Sequence, residues 1–515
     1  MNLLILGLFL ALACSLAVIK YRKWQHEQSA MPPLVPGRLF FGNYFDLKKE
    51  PIHLSLTRLG EHYGHAFTIK VFGRAMIVLN SRQSISQMLN AKTIELAGRP
   101  TCLLIQLATS NASDLVFSKP DLKWLQMRTA FHKFFSDMKK LHHRKDITEI
   151  VFVDEWTNIF LKLEAHSKQN QVYQLKELVY HSQSKIMSVI LFGDEVADDP
   201  LLMQQIRQLD SMSKDVIATL YTALMNMSPL ANLFDSSALS ALCRALGLQK
   251  QLLDQILLKA EGQARNSIPS SQSDDICLRS LVDLMLSLLN LDRPMFSRVQ
   301  VRNVLTELIF AGIDGIVDTV NSFILYMCVH RDVQARIYAE LSERVQQDLV
   351  LLADKKFLHL TNASVHETLR LVSQIPLGIF RKTVVRSHVP DRFMHNGMFG
   401  VQEWQCLYAF GAGKRACPGK TVAMNLIFLY VSNLVKNFEF ELVDEMDEDP
   451  RTFILNSQIE PRSYRVRSVC RASPSNTSLV QISPKKSDIK TLCTDRSSFV
   501  KSIREHELNS TDDES

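Results

Sequence analysis

The sequence predicts a mainly α-helical fold with a small β-sheet region. Apolar residues recur at helical spacing through most of residues 124–360, and the longest such segment spans 301–329. Patterns typical of strands are confined to two short stretches, 68–71 and 76–79, which flank a turn and predict a hairpin. A chain of 515 residues with 46% hydrophobic residues is long and apolar enough to bury a large core.

The first 23 residues predict a membrane anchor. Residues 2–19 are almost wholly apolar, and Lys20, Arg22 and Lys23 follow at once. A cleaved signal peptide ending near residues 11–13 is the alternative, but no basic residue precedes the apolar stretch and the stretch continues past residue 13. The basic residues on the C-terminal flank predict that the rest of the chain is cytosolic.

The remaining chain divides into three parts. Residues 24–43 contain a proline-rich segment, which predicts a stiff linker. Residues 44–470 carry the periodic apolar patterns of a folded domain, within which the polar, serine-rich stretch 266–275 indicates a surface loop. From residue 471 to 515 the chain is rich in serine and threonine, so this tail is expected to be disordered.

Charge and cysteine content exclude several classes of protein. The net charge of +6 is mild for this length, and nothing in the sequence argues for a nucleic-acid partner. The nine cysteines are widely scattered, and none forms a C-x-x-C pair. Neither a disulfide framework nor a structural zinc site is therefore indicated, and a reducing environment is expected.

The most informative stretch is a cysteine loop at residues 410–419, which precedes an apolar helical segment. Pro418 is predicted at the first helical position, which puts Cys417 at the positive end of a helix dipole and favours its thiolate. Such a thiolate is a candidate axial ligand for haem iron. Gly413 and Gly419 allow a tight turn and a close approach to a flat cofactor. A structural cysteine before a core helix is the alternative.

Five residues of this loop match the haem-thiolate signature F-x-x-G-x-R-x-C-x-G of the cytochrome P450 family, which the chain resembles. They are Phe410, Gly413, Arg415, Cys417 and Gly419. The resemblance implies a cytochrome P450 fold that holds haem b, with Cys417 as the iron ligand. Arg415 is then expected to pair with a haem propionate, and Phe410, Gly413 and Gly419 to contact the cofactor.

The pair Glu367 and Arg370 matches the E-x-x-R motif of the same family. In isolation, a carboxylate and a guanidinium at i and i+3 are an ordinary solvated pair on a helix. Upstream of such a cysteine loop, the resemblance implies instead a structural role in a buried network that supports the haem-binding core.

Three further residues are candidates for binding the haem propionates. Trp124 and Arg128 lie one helical turn apart and resemble the W-x-x-x-R helix of microsomal family members. An amphipathic helix with an interfacial tryptophan is the alternative. Arg381 follows Glu367 at the spacing where the family has another propionate contact.

The stretch Ala311-Gly312-Ile313-Asp314 resembles the start of the family's oxygen-binding helix. Glycine within a helix costs about 1 kcal/mol relative to alanine, which suggests that Gly312 makes room above the cofactor. Asp314 is the candidate catalytic acid that relays protons. The alternative is a closely packed helix with a solvated Asp314.

Two departures from the family pattern change what is expected. Gly315 stands where the family usually has a threonine, so the alcohol that helps protonate oxygen is missing or displaced. Only 46 residues separate Arg370 from Cys417, fewer than the family normally has. The fold is therefore expected to be incomplete between residues 388 and 409. A splice form, a faulty gene model and a decaying paralogue are all compatible with this gap.

The resemblance implies a monooxygenase, with 44–470 as its catalytic domain. The enzyme would insert one oxygen atom from O2 into an apolar steroid, lipid or xenobiotic. Its electrons would come from NADPH through NADPH-cytochrome P450 reductase, with cytochrome b5 as a further candidate partner. Its anchor would contact membrane lipid of the endoplasmic reticulum. A haem-thiolate isomerase or dehydratase, suggested by Gly315, and a catalytically inactive remnant, suggested by the gap, remain alternatives.

Overall fold

The computed structural model describes part of the chain, namely residues 31–91, 95–101, 103–141, 146–226, 236–267, 275–278, 280–290, 295–372, 374–381, 408–444, 454–455, 458–459, 461, 463–471 and 492–495. The predicted anchor at 1–23 and the suspected gap at 388–409, apart from residues 408 and 409, lie outside the described residues.

The described residues are mainly helical, as predicted. The helices are α1 (Ile52–Tyr63), α2 (Arg82–Ala91), α3 (Leu103–Ala108), α4 (Leu122–Leu141), α5 (Ile147–Lys168), α6 (Leu175–Phe192), α7 (Asp194–Ala197), α8 (Pro200–Asn226), α9 (Ser236–Ser267), α10 (Leu281–Leu289), α11 (Arg298–Val329), α12 (Arg331–Arg344), α13 (His359–Leu371) and α14 (Lys420–Asn437). The strands are β1 (Ala66–Val71), β2 (Arg74–Leu79), β3 (Asp275–Leu278), β4 (Phe438–Leu442), β5 (Ile454–Leu455), β6 (Gln458–Ile459), β7 (Val466–Cys470) and β8 (Leu492–Asp495).

The strands of the described residues form antiparallel pairs. β1 pairs with β2 as the predicted hairpin, and its turn at Phe72 and Gly73 has positive φ at both residues, as a tight two-residue turn requires. β4 pairs with β7, and β5 with β6. β3 pairs with β8, so 492–495 belongs to a strand and Asp275 is no part of a loop. Residues 268–274 of the predicted loop, and the predicted tail apart from residues 471 and 492–495, lie outside the described residues.

Residues 31–43, part of the stiff linker predicted at 24–43, pack against the hairpin. The amide of Val35 donates to the carbonyl of Thr68 over 2.8 Å, and the amide of Thr68 donates to Pro33 over 2.7 Å. Val35 is buried in the cluster that also contains Phe67 and Ile69. The packed domain therefore starts before residue 44.

The core lies among α5, α6, α11 and α14, whose apolar faces meet in one large cluster. Phe152 of α5 stacks against Trp156 at 5.7 Å and meets Tyr430 of α14 edge-on at 5.0 Å. The buried Tyr430 hydroxyl lies 2.9 Å from the Ser182 hydroxyl of α6, so its polar atom has a partner. This packing fixes α11 and α14, the two helices that flank the candidate site.

Helix α11 begins at a capping box, in which the Ser297 hydroxyl accepts from the Gln300 amide and the Gln300 side chain accepts from the Ser297 amide. Among the described helices, α11 is the one long and apolar enough to cross a membrane. However, 72% of its most apolar window is buried inside the protein, as expected for a core helix.

Candidate functional site

The cysteine loop is a tight turn held by its own backbone. The amide of Cys417 donates to the carbonyl of Phe410 over 2.8 Å, which closes the loop. Gly413 has a φ of 63°, so the turn requires glycine there, as predicted. Gly411 has a φ of 68° and was not singled out, although the spacing of the two glycines around Ala412 is a visible signal.

The helix that follows starts later than predicted. α14 begins at Lys420 with Gly419 as its N-cap, so Pro418 is not the first helical residue. The Gly419 amide hydrogen-bonds the Cys417 sulfur. Burial nevertheless raises the pKa of the thiol, and this effect outweighs the Gly419 amide and the charges of Arg128 and Lys420, which lower it. The Gly419 amide at the helix end therefore favours the thiolate, as expected, but less than burial opposes it.

Cys417 is reachable from solvent. Its side chain is exposed, yet enough protein surrounds it to raise its pKa. A β-carbon added at Gly419 would lie 3.9 Å from the Cys417 sulfur. Glycine at this position therefore keeps the side of the sulfur free of a side chain.

Arg415 is directed at backbone carbonyls and not outward. Its guanidinium donates to the carbonyls of Ala97 at 2.8 Å and Leu115 at 3.3 Å, and also to that of Ser118. It lies 4.2 Å from the centre of the Trp124 ring. In this geometry Arg415 ties residues 97–118 to the cysteine loop, and its role as a propionate contact stays a prediction.

Trp124 is similarly occupied. Asp121 caps α4 by accepting from the Trp124 amide over 2.9 Å, which orients the first turn. The indole N–H donates to the carbonyl of Leu115 over 2.9 Å. An indole has a single donor, and in this arrangement Leu115 accepts it, so the role of Trp124 in binding a propionate stays a prediction.

Arg128 and Arg381 both reach the cysteine loop. Arg128 donates to the carbonyl of Ala416, and Arg381 donates to that of Ala412 over 2.7 Å. The second terminal nitrogen of Arg381, Nη1, is buried without an acceptor among the described residues. A buried guanidinium N–H without a partner indicates that an anionic or polar group belongs beside it.

Arg99 belongs to the same cluster and was not predicted as a site residue. Its guanidinium donates to the carbonyls of Val116 at 2.9 Å and Ile379 at 2.7 Å. Burial and the neighbouring charges of Arg415 and Arg381 lower its pKa to about 9. The Gly-Arg-Pro motif at 98–100 draws attention to Arg99 in the sequence. The spacing along the chain does not show that this residue comes together with the arginines at 128, 381 and 415.

Two buried carboxyl groups lie close to these arginines. Asp114 hydrogen-bonds Glu307 of α11, and burial raises the pKa of both groups. The amide of Leu115 also donates to Glu307 over 3.0 Å. A hydrogen bond between two carboxyl groups needs one proton, so the pair carries one negative charge at most. It leaves most of the positive charge of the arginine cluster uncompensated.

Gly312 makes room for a neighbouring helix. A β-carbon at this position would lie 2.3 Å from the end of Met187 on α6, and the Gln183 side chain donates to the Gly312 carbonyl over 2.8 Å. The interpretation that Gly312 provides space above a cofactor is wrong, because its open side is filled by α6. Close helix packing, the alternative reading, explains this glycine.

Asp314 is buried between α11, α6 and α8. One of its oxygens accepts from Lys214 of α8 at 2.7 Å, and Lys214 also pairs with Asp210 at 3.1 Å. Tyr180 of α6 donates to Asp210 over 2.8 Å. Burial and the charge of Asp210 raise the pKa of Asp314 to about 7, while Lys214 opposes that rise. The acid is thus held near its titration point at neutral pH and is not solvated.

Gly315 faces a glutamine that was not predicted. Gln374 donates to the Gly315 carbonyl over 2.8 Å and to the Thr319 hydroxyl over 2.9 Å. A β-carbon on Gly315 would lie 3.4 Å from the Gln374 side-chain oxygen. The Thr319 hydroxyl in turn donates to the Gly315 carbonyl over 2.7 Å. The polar group next to Gly315 is therefore an amide from outside the helix.

Glu367 and Arg370 pair as predicted. Two hydrogen bonds of 2.8 and 2.6 Å join them, which lowers the pKa of Glu367. However, 53% of the Glu367 and 61% of the Arg370 side-chain surface is exposed. Among the described residues the pair therefore lies at the surface, and its role in a buried network stays a prediction.

The residues of this site fit a haem. Cys417 offers a sulfur with a Gly419 amide beside it, as an iron ligand needs. Arg128 and Arg381 have guanidinium groups at the rim of the loop, and Arg381 has an N–H without an acceptor among the described residues. These cations suit the two propionates of haem b.

Comparisons with known proteins agree with this fit. The family model described as Cytochrome P450 matches residues 32–399 and 389–464. The two matches meet at 389–399, within the region where the sequence predicts a missing segment. The structure is similar to a zebra fish cytochrome P450 with progesterone, with a TM-score of 0.65 and 20% identity, over 82% of this chain and 100% of the other.

Relatives of similar length match most of the chain. The isoflavone 2'-hydroxylase of Glycyrrhiza echinata is 23% identical over 89% of this chain and 94% of its own length. The steroid 17-alpha-hydroxylase/17,20 lyase of Capra hircus is 20% identical over 86% and 92%, and the steroid 21-hydroxylase of Homo sapiens is 22% identical over 85% and 91%. By its motif, its fold and these matches, the chain belongs to the cytochrome P450 family of haem-containing monooxygenases.

Proposed function

We propose that this enzyme inserts one atom of dioxygen into an apolar small molecule, which is a steroid, a lipid or a xenobiotic. The observation that carries the proposal is the exposed side chain of Cys417 on a tight loop, with the Gly419 amide on its sulfur and Gly413 in the turn. A thiolate in such a place suits a haem ligand better than a structural cysteine, whose sulfur would be packed in the core.

The cofactor would be held by a few side chains. Cys417 would supply the thiolate, since metal binding removes the proton that burial otherwise retains. Arg128 and Arg381 would pair with the propionates. Arg415 would support the cofactor site indirectly, because it fixes the backbone of 97–118 beside the cysteine loop. When bound, a thiolate-ligated haem supplies the activation of dioxygen.

Proton delivery would depend on Asp314. With a pKa of about 7, this carboxyl can hold or release a proton at neutral pH, which is what a relay needs. Lys214 lies between Asp314 and Asp210 and can pair with either carboxylate. A proton leaving Asp314 would therefore leave behind a carboxylate that Lys214 already stabilises.

The substrate class rests on the relatives. Two are named for steroid hydroxylation and one for isoflavone hydroxylation, and both substrate classes are mostly apolar small molecules. A structural neighbour is described with progesterone. Similarity of 20–23% supports this class and no individual compound.

The electron donor and the location are inferred from the family. We infer that NADPH-cytochrome P450 reductase supplies electrons, with cytochrome b5 as a second partner. The predicted anchor at 1–23 would hold the enzyme on the endoplasmic reticulum membrane, with the catalytic domain in the cytosol.

A second candidate function is isomerisation or dehydration of a peroxide by the same haem-thiolate site. Gly315 favours it, because no hydroxyl is available at the position from which the family usually donates a hydrogen bond to oxygen. Gln374 supplies an amide nearby, but its N–H groups donate to the Gly315 carbonyl and the Thr319 hydroxyl. An isomerase would need no reductase.

One experiment separates these functions. The absorption spectrum of the reduced, carbon-monoxide-treated protein should show the Soret band of thiolate-ligated haem. Cys417→Ala should lose this band, whereas Cys243→Ala, which removes another exposed cysteine, should keep it. A protein without the band is a remnant and contradicts the proposal. With the band present, NADPH- and reductase-dependent product supports the monooxygenase, and reductase-independent turnover of a peroxide supports the isomerase.

A further inference from the structure

A cleft outside the haem site is lined by three helices. α5 contributes Glu155, Asn158, Ile159 and Lys162, α6 contributes Leu178, His181, Ser182 and Lys185, and α8 contributes Met203 and Arg207. On α5 and α6 these residues follow i, i+3, i+4, i+7 spacing, so each helix presents one continuous stripe. The cleft has a volume of about 350 Å³ and shares no residue with the cysteine loop, the arginine cluster or α11.

The rim of this cleft is cationic. Lys185 is compensated by Glu155, whose carboxylate lies 3.1 Å away and also accepts from Asn158. Among the described residues, neither Lys162 nor Arg207 has a carboxylate within ion-pairing distance. After pairing Lys185 with Glu155, two positive charges remain on the rim.

The pKa of His181 reflects the same excess of positive charge. Burial and the charges of Arg207 and Lys162 lower the pKa of this imidazole, and Glu177 opposes them. Lys185 and Glu155 line the same cleft as a mutual pair. Arg207 and Lys162 therefore disfavour the protonated imidazole more strongly than Glu177 favours it.

The floor of the cleft is apolar. Ile159 and Met203 are almost fully buried, and Leu178 completes the surface beside them. An occupant therefore needs an anionic head for the rim and an apolar body for the floor. Phosphate esters meet this requirement, because their oxygens accept strong charge-assisted hydrogen bonds from arginine and lysine.

We propose that the cleft between α5, α6 and α8 binds a phosphate monoester with a short apolar body, with Arg207 and Lys162 holding the phosphate. The floor formed by Ile159, Leu178 and Met203 takes the hydrocarbon. The site is independent of the haem chemistry, so its existence does not rest on the proposed function.

Calorimetry on the full-length, haem-loaded protein tests the site with hexyl phosphate as the probe. Hexyl phosphate should bind more tightly than inorganic phosphate, which lacks the apolar body, and more tightly than hexanol, which lacks the charge. Arg207→Gln and Lys162→Gln should each weaken hexyl phosphate binding roughly tenfold, the effect of losing one charge-assisted hydrogen bond. Lys168→Gln removes a charge from the exposed end of α5, where Lys168 pairs with Glu164, and should leave the affinity unchanged.

A second readout is the NMR titration of His181, assigned by its loss in His181→Gln. Bound hexyl phosphate should raise the pKa of the imidazole, because a negative charge would then face it. Lys162→Gln alone should also raise it, since one like charge is removed. An unchanged affinity in folded Arg207→Gln, or equal weakening in Lys168→Gln, would overturn the proposal.

A further arm identifies the source of the phosphate. Dioctanoyl phosphatidic acid carries the same ester on two acyl chains. If it binds more tightly than hexyl phosphate and loses affinity in Arg207→Gln, the site takes a lipid headgroup. If it binds more weakly while hexyl phosphate keeps its dependence on Arg207, the site takes a soluble ester. Binding of either compound that does not depend on Arg207 contradicts the site.

Discussion

Gln374 occupies the space beside Gly315 that a hydroxyl side chain would need. The sequence showed the missing threonine at position 315 but could not show that a residue 59 positions later supplies the neighbouring polar group. The side-chain oxygen of Gln374 would lie 3.4 Å from a β-carbon on Gly315, which is ordinary contact, so the further atoms of a threonine side chain are expected to crowd the glutamine.

Restoring the hydroxyl should therefore depend on Gln374. Gly315→Thr alone is expected to crowd the amide and improve coupling little, whereas Gly315→Thr with Gln374→Ala should raise the product formed per NADPH several-fold. The physical reason is that threonine is β-branched and rigid, while alanine at 374 frees the space for it. Coupling is measured in a system reconstituted with reductase.

Gln374→Ala alone is the matched control, and it should not raise coupling, since it adds no hydroxyl. If the double variant folds, binds haem and still couples like the unchanged enzyme, position 315 is not the site of the oxygen-side alcohol. An isomerase would gain nothing from the new donor, and its peroxide turnover would stay level or fall.

Two substitutions next to Asp314 are expected to shift its pKa in opposite directions. Lys214 lowers the pKa of Asp314 from what burial imposes, and Asp210 raises it. Lys214→Gln should therefore move the pH at which Asp314 titrates upward, and Asp210→Asn should move it downward. The pH dependence of turnover, which the pKa of Asp314 is expected to centre near pH 7 in the unchanged enzyme, measures both shifts. Shifts in the same direction would show that the profile reports another group.

The free energy of unfolding should also depend on the protonation of Asp314. Its folded-state pKa of about 7 lies above the ordinary value of 3.8, so the folded protein binds this proton more tightly than the unfolded chain. The contribution is complete below about pH 4 and is lost as pH rises through 7. In Asp314→Asn, the fall in unfolding free energy between pH 4 and 7 should be smaller than in the unchanged protein.

At the scale of elements, local patterns were read correctly and long-range partners were not. The hairpin β1–β2, the long helix α11 and the turn at the cysteine loop all follow from spacing and from glycine or turn residues in the sequence. The partners of Arg415 lie about 300 residues away along the chain, and periodicity says nothing about such contacts. The contact between Met187 and Gly312 could not be predicted from periodicity either. It shows helix packing at the position where the sequence suggested space above a cofactor.

Arg415 and Arg381 should differ in what they stabilise. Arg415 is buried and holds several carbonyls of 97–118, so Arg415→Gln should lower the free energy of unfolding by about 2–3 kcal/mol. Arg381 makes one bond to the loop and has an N–H to spare, so Arg381→Gln should cost about 1 kcal/mol or less but weaken haem retention. Denaturant unfolding of the haem-free proteins and haem transfer to an acceptor measure the two effects. Equal stability of both variants would contradict this division.

For the whole molecule, the apolar surface near the N-terminal part of the domain is the notable exposed feature. Leu39 and Phe40 are each 81% exposed, and Phe41 and Phe45 are also exposed. Contiguous exposed apolar side chains of this kind mark contact with another apolar phase. They follow the predicted anchor closely in sequence, and residues 31–43 are fixed on β1, so this patch is expected to lie near the membrane surface.

Membrane attachment should therefore have two parts of unequal strength. Deletion of residues 1–23 should release much of the protein from vesicles, because the span supplies the largest continuous apolar surface. The fraction that still floats with vesicles should fall further when Leu39→Ser and Phe40→Ser are added, since these side chains no longer enter the interface. Phe357→Ser, which changes a phenylalanine that is 51% exposed on a different element, is the control and should not lower the residual fraction. Residual binding that is equal with and without the two serines would show that the patch faces water.

The orientation of the anchor has its own test. A protease-accessible N-terminal tag in intact vesicles would show that the predicted orientation is reversed.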